Sequence, residues 1–158
     1  MLFRSVVAAG ATVRLAGHVA GPSAAERTLW AKVAAWLDER GAQPFTVGEV
    51  SRELRMGEPA TRSLLHRLRG AGEVWRMDDE RFMLRRHVAG LAARAAALAR
   101  EAGSDGFTAA QFRDAIGIGR GRAIQVLEFF DRVGITRRVG DARRMRPDYE
   151  LVVGSTDP

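Results

Sequence analysis

The sequence predicts a mainly α-helical protein that also carries small β-hairpins. Three observations support this fold class: the chain repeats itself once, each repeat holds three helix patterns, and each repeat ends in two β-prone runs. The 158 residues are enough for two small domains of roughly 60 to 80 residues each.

The internal repeat is a match at an offset of 62 residues that needs no gap. The matched pairs include Phe45 with Phe107, Gly57 with Gly119, Leu65 with Leu127, Gly72 with Gly134 and Met83 with Met145. A unit of about sixty residues is too long for a solenoid motif, so the sequence predicts a small domain that is used twice.

Each repeat begins with an amphipathic helix. In the first repeat, Ser23 and Glu26 form a capping-box pattern, and apolar residues then recur at helical spacing until Gly41. In the second repeat, "HVAGLAARAAALAREAG" has the same pattern with alanine in place of tryptophan, and Gly103 ends it. The small alanine side chains favour close packing against the first repeat, so we expect a stiff tandem.

The second and third helices of each repeat flank a turn that contains glycine. Thr46 is expected to cap "VGEVSREL", and Thr108 to cap "AAQFRDAI". The turns "RMGE" and "GIGR" lead into "PATRSLLHRLRGAG" and "GRAIQVLEFFDRVG", with Gly117 as a helix stop and Gly119 as the bend. Two β-prone runs follow, "VWRM" with "RFML" and "ITRRV" with "ARRM". This order of elements is a winged helix-turn-helix, here in tandem.

The repeat also predicts the domain boundaries. Residues 21–86 form the first winged-helix domain, and residues 87–150 form the second. Residues 1–20 are predicted to be remnant wing strands of a preceding winged helix whose helices are missing. Residues 151–158 are predicted to be a C-terminal tail.

Charge is the strongest compositional signal. Twenty-four arginines and one lysine oppose nineteen acidic residues, which gives a net charge of +6, so a polyanion is the expected partner. The absence of cysteine excludes disulfides and thiolate sites, and it favours a cytoplasmic location. No apolar run approaches the roughly 20 residues that cross a membrane, and Gly10 and Arg14 interrupt the only stretch typical of a signal peptide.

The sequence gives no sign of nucleotide binding, catalysis or metal binding. The stretch Gly117-Ile118-Gly119-Arg120-Gly121 follows a predicted helix, whereas a dinucleotide fingerprint follows a strand. The only lysine, Lys32, lies within the first helix, so there is no Walker motif. His18, His66 and His87 lack the spacing of metal ligands. We therefore expect a protein that is not an enzyme and that binds no cofactor.

The two repeats differ in charge at their third helix and wing. Residues 115–146 contain eight arginines and three acids, whereas the six arginines and six acids of residues 53–84 cancel. Glu58-Pro59-Ala60 of the first repeat corresponds to Arg120-Gly121-Arg122 of the second. Because a helix N-terminus already presents unpaired N–H groups and a partial positive charge, this exchange predicts an anion-binding site.

The remainder of the third helix limits how a nucleic acid would dock. Glu128 lies midway along the face expected to be exposed, with Gly121, Gln125 and Arg132, so we expect contact at the first turn, flanked by wing arginines. Such end-on capture suits RNA, whose narrow major groove excludes a helix. The predicted RNA-binding residues are Gly119, Arg120, Gly121, Arg122, Gln125, Arg137, Arg138, Arg143 and Arg144. The alternative is that the wing arginines only solubilise an exposed hairpin.

The second repeat resembles a known family. The run "FTAAQFRDAIGIGRGRAIQVLEFFDRVGITRRVGDARRMR" is similar to the last winged helix of SelB, the bacterial selenocysteine-specific translation elongation factor. "VRLAGHV" followed by "SAAERTLWAKV" resembles the join between the second and third C-terminal winged helices of that family. The resemblance points to Gly119, Arg120 and Arg122, with the wing around Arg143 nearby.

The resemblance implies an RNA-binding module that recognises a selenocysteine insertion hairpin in mRNA and supports selenocysteine incorporation during protein biosynthesis. Its further partners would be the ribosome and the GTPase part of the factor. The GTPase and tRNA-binding parts have no counterpart in these 158 residues, so we expect a fragment, a truncated reading frame or a separately encoded tail.

Two other functions stay open at this point. One is a DNA-binding transcriptional regulator with tandem winged helices, although such proteins normally supply two equivalent DNA-reading units by dimerising. The other is a protein-binding adaptor, for which the neutral third helix and wing of the first repeat are the better candidate. We expect a monomer that does not bind membranes.

Overall fold

A computed structural model describes residues 20–155 and confirms the predicted fold class. The helices are α1 (Ala24–Glu39), α2 (Val47–Leu54), α3 (Glu58–Gly70), α4 (Arg85–Ala102), α5 (Ala109–Ile116), α6 (Arg120–Val133) and α7 (Tyr149–Gly154). The strands are β1 (Phe45–Thr46), β2 (Val74–Arg76), β3 (Arg81–Leu84), β4 (Phe107–Thr108), β5 (Thr136–Val139) and β6 (Ala142–Met145). The wing strands predicted for residues 1–20 lie, apart from Ala20, outside the described residues.

Side-chain caps fix where three of the helices begin. The Ser23 hydroxyl accepts a hydrogen bond from the Glu26 N–H at 3.1 Å, and the Glu26 carboxylate accepts one from the Ser23 N–H at 3.0 Å. The same reciprocal pair caps α2 through Thr46 and α5 through Thr108. All three predicted caps are therefore confirmed, and they satisfy N–H groups that the helices themselves leave unpaired.

The turn between the second and third helices bends two residues before the predicted position. Gly117, which ends α5, has the left-handed φ of 71°, whereas Gly119 has an ordinary φ of −62° and is the N-cap of α6. In the first repeat the matching left-handed residue is Arg55, with φ 55°. The prediction of Gly117 as the helix stop is thus confirmed. The prediction of Gly119 as a bend that needs glycine's freedom is wrong.

Each repeat contains a three-stranded antiparallel sheet with the order β1-β3-β2 or β4-β6-β5. The outer strands β2 and β5 and the central strands β3 and β6 are the predicted hairpins. The sequence did not predict β1 and β4, because each has two residues and no alternating pattern can be recognised over that length. These short strands join the start of the second helix to the wing.

The sheet register corrects the repeat in the wing. Phe45 pairs with Phe82, whereas its counterpart Phe107 pairs with Arg143, so the offset falls from 62 to 61 after the hairpin turn. The cause is a hairpin connection that is one residue shorter in the second repeat. Met83 therefore corresponds to Arg144 and not to Met145. This shift changes which wing residues face the core.

The two repeats share a continuous apolar contact. The core of the second repeat includes Trp75, Met77 and Met83 from the wing of the first. The Trp75 and Phe129 rings meet edge to face, with centroids 5.6 Å apart. Arg132 also donates a hydrogen bond to the Met77 carbonyl. The expected close packing of the alanine-rich α4 is observed, since Leu91, Ala92 and Ala95 are among the residues that bury this wing.

The C-terminal residues fold further than predicted. Residues 151–154, expected to belong to a tail, lie in α7. Val152 and Val153 pack against the core of the second repeat, and Arg85 donates a hydrogen bond to the Val153 carbonyl at 3.3 Å. The short apolar run gave no helical period to recognise. None of the helices among residues 20–155 has both the length and the apolar character needed to span a membrane.

Candidate nucleic-acid interface

The N-terminus of α6 exposes unpaired backbone donors. Gly119 caps the helix without a side chain, and the first intrahelical bond runs from the Ala123 N–H to the Gly119 carbonyl at 3.0 Å. The N–H groups of Arg120, Gly121 and Arg122 have no acceptor among the described residues, and all three residues are exposed. We call Gly119, Arg120, Gly121 and Arg122 the α6 site. Three donors at the positive end of a helix dipole form a surface that favours anions.

The arginines of the α6 site carry charge that nothing in residues 20–155 neutralises. The Arg120 and Arg122 guanidinium groups make no hydrogen bond or ion pair within that range. In the first repeat the helix instead starts with Glu58 and Pro59, and Arg62 is bound by the Glu80 carboxylate at 2.7 Å. The same corner of the fold is thus open to an anion in the second repeat and internally paired in the first.

The two faces of the second wing differ. Arg137 pairs across the strands with Arg144, so their side chains share one face, and both are exposed without a partner among the described residues. We call this the outer wing face. Its counterpart in the first repeat is the pair Trp75 and Met83, which is fully buried against the second repeat. The outer wing face therefore holds two free cations where the first repeat holds an apolar contact.

Arg143 does not lie on the surface as predicted. It occupies the sheet position of the buried Phe82 and is only 5% exposed. Its guanidinium binds the Asp131 carboxylate on α6, with Nε 2.9 Å from Oδ2. Arg143 therefore connects the wing to α6 and is largely shielded from a ligand. The one-residue shift in the wing, which the gap-free repeat concealed, is the reason for the difference.

Gln125 also differs from its predicted position. It is half-buried in a cleft between α6 and the wing of the first repeat, and the charged residues Asp78, Arg81, Glu128 and Arg132 also line this cleft. Arg132, further along the same face, is bound to the first wing as well. On this face of α6, Gly121 and Glu128 are exposed without a partner among the described residues, whereas Gln125 is half-buried and Arg132 is bound. The remaining predicted residue, Arg138, is exposed, and its Nε donates to the Gly140 carbonyl at 2.9 Å.

Sequence reasoning missed one cation beside the α6 site. Arg113 on α5 lines the same groove as Arg120, together with Ala109, Ala110 and Ile124. Its guanidinium pairs with the neighbouring Asp114, with Nη2 2.6 Å from Oδ1. The comparison of the repeats contained the signal, because residue 51, its counterpart, is a serine. Among residues 20–155, no group of three or more histidines and acids is arranged to hold a metal ion.

Comparison with known proteins identifies relatives of the second repeat and of most of the chain. The family model described as "Elongation factor SelB, winged helix" matches residues 97–145. The selenocysteine-specific elongation factor of Escherichia coli K12 is 33% identical over 134 residues, which are 85% of this chain and 21% of that protein. The corresponding factor of Haemophilus influenzae is 25% identical over 77% of this chain and 19% of that protein.

A solved structure decides the family. The mRNA-binding domain of elongation factor SelB from E. coli, solved in complex with SECIS RNA, is 30% identical and matches with a TM-score of 0.67, covering 79% of this chain and 99% of that one. The chain belongs to the SelB family. A bacterial selenocysteine-specific elongation factor, 19% identical with a TM-score of 0.60, shares the fold over 79% of this chain and 20% of its own. The chain spans about a fifth of the length of its SelB relatives.

Proposed function

We propose that this chain is an RNA-binding module of a SelB-like selenocysteine-specific elongation factor and that it binds a selenocysteine insertion hairpin in mRNA. The observation that carries the proposal is the similarity to almost the whole length of a SelB mRNA-binding domain that was solved with SECIS RNA. The module would support selenocysteine incorporation in the cytoplasm as a monomer. Its partners there would be the ribosome and the GTPase part of the factor, and its own role requires no catalytic group or cofactor.

The charges of the second repeat support a site that binds the RNA backbone end-on. The α6 site offers three backbone N–H groups and the guanidinium groups of Arg120 and Arg122, and guanidinium forks match phosphate oxygens well. Arg137, Arg138 and Arg144 add donors on the wing. Because Arg143 is bound to Asp131 and Gln125 lies in an inter-repeat cleft, we assign neither of them a direct contact with RNA.

The packing of α6 favours RNA over duplex DNA. A DNA-reading helix of this fold class lies along the major groove and needs its outer face free. Here the wing of the first repeat covers that face at Phe129 and Arg132, and Glu128 adds negative charge beside it. Beyond the first turn, the exposed residues of this face are Glu128, which would repel phosphate, and Arg132, which is bound to the first wing. The alternative of a DNA-binding regulator therefore has less support than capture of a hairpin loop.

The test is a competition between the E. coli SECIS hairpin and a duplex DNA for the intact chain at several salt concentrations. We expect the hairpin to bind more tightly at every salt concentration, with an affinity that falls as salt rises because cations on the protein release counterions from the RNA. Tighter binding of the duplex would contradict the proposal. An absence of salt-dependent binding to either nucleic acid would favour the protein-binding adaptor instead.

Substitutions localise the contact. Arg120→Ala and Arg122→Ala should each weaken hairpin binding by about 1–3 kcal/mol, on the scale of charge-assisted hydrogen bonds. The matched control is Arg62→Ala in the first repeat, whose guanidinium is already bound by Glu80, and it should change the affinity little. Equal losses from all three substitutions would contradict an interface restricted to the second repeat.

A further inference from the structure

A cavity lies on the second repeat next to the outer wing face. It has a volume of about 420 Å³ and opens between the C-terminal half of α4, strand β6 and the start of α7. Ala96, Ala99 and Met145 contribute its apolar surface, and Arg100, Arg144 and Tyr149 contribute cations and an aromatic ring. Arg144 thus belongs both to the cavity wall and to the outer wing face. The volume is within the about 300–1,000 Å³ typical of ligand sites.

In the first repeat the matching end of α1 contacts the helix that follows the repeat, beside a cavity of about 500 Å³ that Ala34, Asp38 and Arg86 help to line. Asp38, at the end of α1, binds the Arg86 guanidinium with Nε 3.1 Å from Oδ1 and the His87 ring at 2.8 Å. Arg86 and His87 belong to the first turn of α4, so this cluster fastens α4 against α1. The side chains above it on the first wing, Trp75 and Met83, are covered by the second repeat.

Asp38, Trp75 and Met83, which make these contacts in the first repeat, all correspond to arginines in the second repeat. Asp38 corresponds to Arg100 at the offset of 62, and Trp75 and Met83 correspond to Arg137 and Arg144 in the sheet register. All three arginines are exposed and have no ion pair or hydrogen-bond partner among the described residues. The contacts that join the first repeat to the next are thus replaced by three arginines that are free within residues 20–155, and two of them, Arg100 and Arg144, lie in the wall of the cavity.

Tyr149 gives this cavity an aromatic wall. It begins α7, is half-buried, and packs against the core of the second repeat, so its ring is held in place. Burial raises the pKa of Tyr149, and the adjacent Glu150 raises it further through its charge and a hydrogen bond with the phenol. Cations that follow a backbone, beside an aromatic face that accepts any base, are the features of proteins that bind single-stranded nucleic acid.

We propose that the cavity bounded by Arg100, Arg144 and Tyr149 binds a single-stranded RNA segment that flanks the hairpin, with phosphates on the arginines and a base against the Tyr149 ring. This inference rests on the proposed function, and it adds a second site to the α6 site. Arg144 lies both on the outer wing face and in the cavity wall, and Glu150 is the one acidic residue among the described residues that line the cavity. The Tyr149 ring favours RNA over an acidic protein segment, because it offers a surface on which a base can stack.

The test uses fluorescein-labelled oligouridine, which has no hairpin, and measures its affinity for the intact chain by fluorescence anisotropy. We expect oligouridine to bind to the unsubstituted chain. Arg100→Ala and Tyr149→Ala should each weaken this binding by about fivefold or more, on the scale of one base stacked on an aromatic ring. Tyr149→Phe keeps the ring and should retain most of the affinity. The matched control is Arg52→Ala, which removes one exposed arginine from the first repeat and should have no effect.

The outcomes separate this site from the α6 site. The inference is supported if Arg100→Ala binds oligouridine more weakly than the unsubstituted chain does and binds the minimal SECIS hairpin equally well. If Arg122→Ala weakens oligouridine binding as much as Arg100→Ala does, the single strand binds at the α6 site and the inference is wrong. The inference is also wrong if oligouridine does not bind, or if polyglutamate at the same molar concentration of charges displaces the bound oligouridine. If the unsubstituted chain does not bind the hairpin, that result would instead contradict the proposed function.

Discussion

The guanidinium of Arg143 is buried against the carboxylate of Asp131, with Nη2 2.9 Å from Oδ2. Asp131 is held in turn by the Thr136 hydroxyl, which donates to Oδ1 at 2.6 Å. The first repeat places Phe82 at the position of Arg143 and fixes its wing by apolar packing instead. In the second repeat a charged pair holds β5 and β6 to α6, and this fixes the wing arginines relative to the α6 site.

Removal of Arg143 should therefore destabilise the fold without removing an RNA contact. We expect Arg143→Ala to lower the free energy of unfolding by about 3 kcal/mol, because it leaves Asp131 partly buried without its partner. Denaturant unfolding measures this loss, and the double variant with Asp131→Ala should recover part of it. A loss of hairpin affinity in fully folded Arg143→Ala, with no loss of stability, would show that Arg143 contacts RNA after all.

The behaviour of Arg143 shows where sequence reasoning was sufficient and where it failed. Local signals predicted the helix caps, since the hydroxyl of Ser23, Thr46 or Thr108 and the residue three positions later contain the whole interaction. They also predicted the unpaired N–H groups and free arginines at the start of α6, because these are properties of consecutive residues. Burial of Arg143 depends on strand pairing between distant segments, and a one-residue change in a turn reverses which side chains face the core.

The surroundings of Gln125 were not predicted, for a related reason. The helical spacing of α6 correctly places Ala123, Val126 and Leu127 in the core. The same spacing leaves Gln125 on the opposite face, but it contains no information about the neighbouring repeat that partly covers that face. Contacts between repeats follow from the joint geometry of two folded units, which no local pattern encodes. The similarity of the repeats predicts the shape of each unit better than it predicts the contact between them.

The contact between the repeats depends on Trp75. Its ring is fully buried against Phe129, so Trp75→Ala should lower the free energy of unfolding by about 3–5 kcal/mol. Trp75→Phe is the matched control. It keeps an aromatic contact and removes an indole N–H that has no hydrogen-bond partner among the described residues, so its loss should be clearly smaller. Equal losses in thermal unfolding would contradict a role for the ring contact.

The first repeat should lose stability in acid through Glu49. Burial raises the pKa of this carboxyl, but hydrogen bonds from the Thr46 N–H and hydroxyl and the charge of Arg40 bring it below its ordinary value. The stabilisation is fully present above the ordinary pKa of a glutamic acid, and it is lost as the pH falls through the lowered folded-state pKa. The free energy of unfolding, measured across the acid range, should therefore depend less steeply on pH in Glu49→Gln than in the unsubstituted chain.

The second repeat provides the reason to choose glutamine. Gln111 occupies the same position in α5, and its Oε1 accepts the Thr108 N–H at 2.7 Å, so glutamine keeps the cap and removes the titrating group together with its ion pair to Arg40. The converse substitution, Gln111→Glu, should make the acid dependence steeper. An unchanged pH dependence in Glu49→Gln would mean that the carboxylate does not contribute to folding in the way that its hydrogen bonds indicate.

Gly121 offers a test in which stability and binding move in opposite directions. It lies in the first turn of α6 with nothing within 4 Å of the position of an added Cβ, so alanine fits there without a clash. Because alanine favours helix more than glycine does, Gly121→Ala should raise the free energy of unfolding by about 0.5 kcal/mol. If a phosphate approaches the bare backbone of the α6 site, the same methyl group should weaken hairpin binding.

Gly90→Ala, equally unhindered within α4, should give a similar gain in stability with unchanged affinity. Unchanged affinity in both variants would mean that the RNA contacts the arginine side chains of the α6 site and not its backbone.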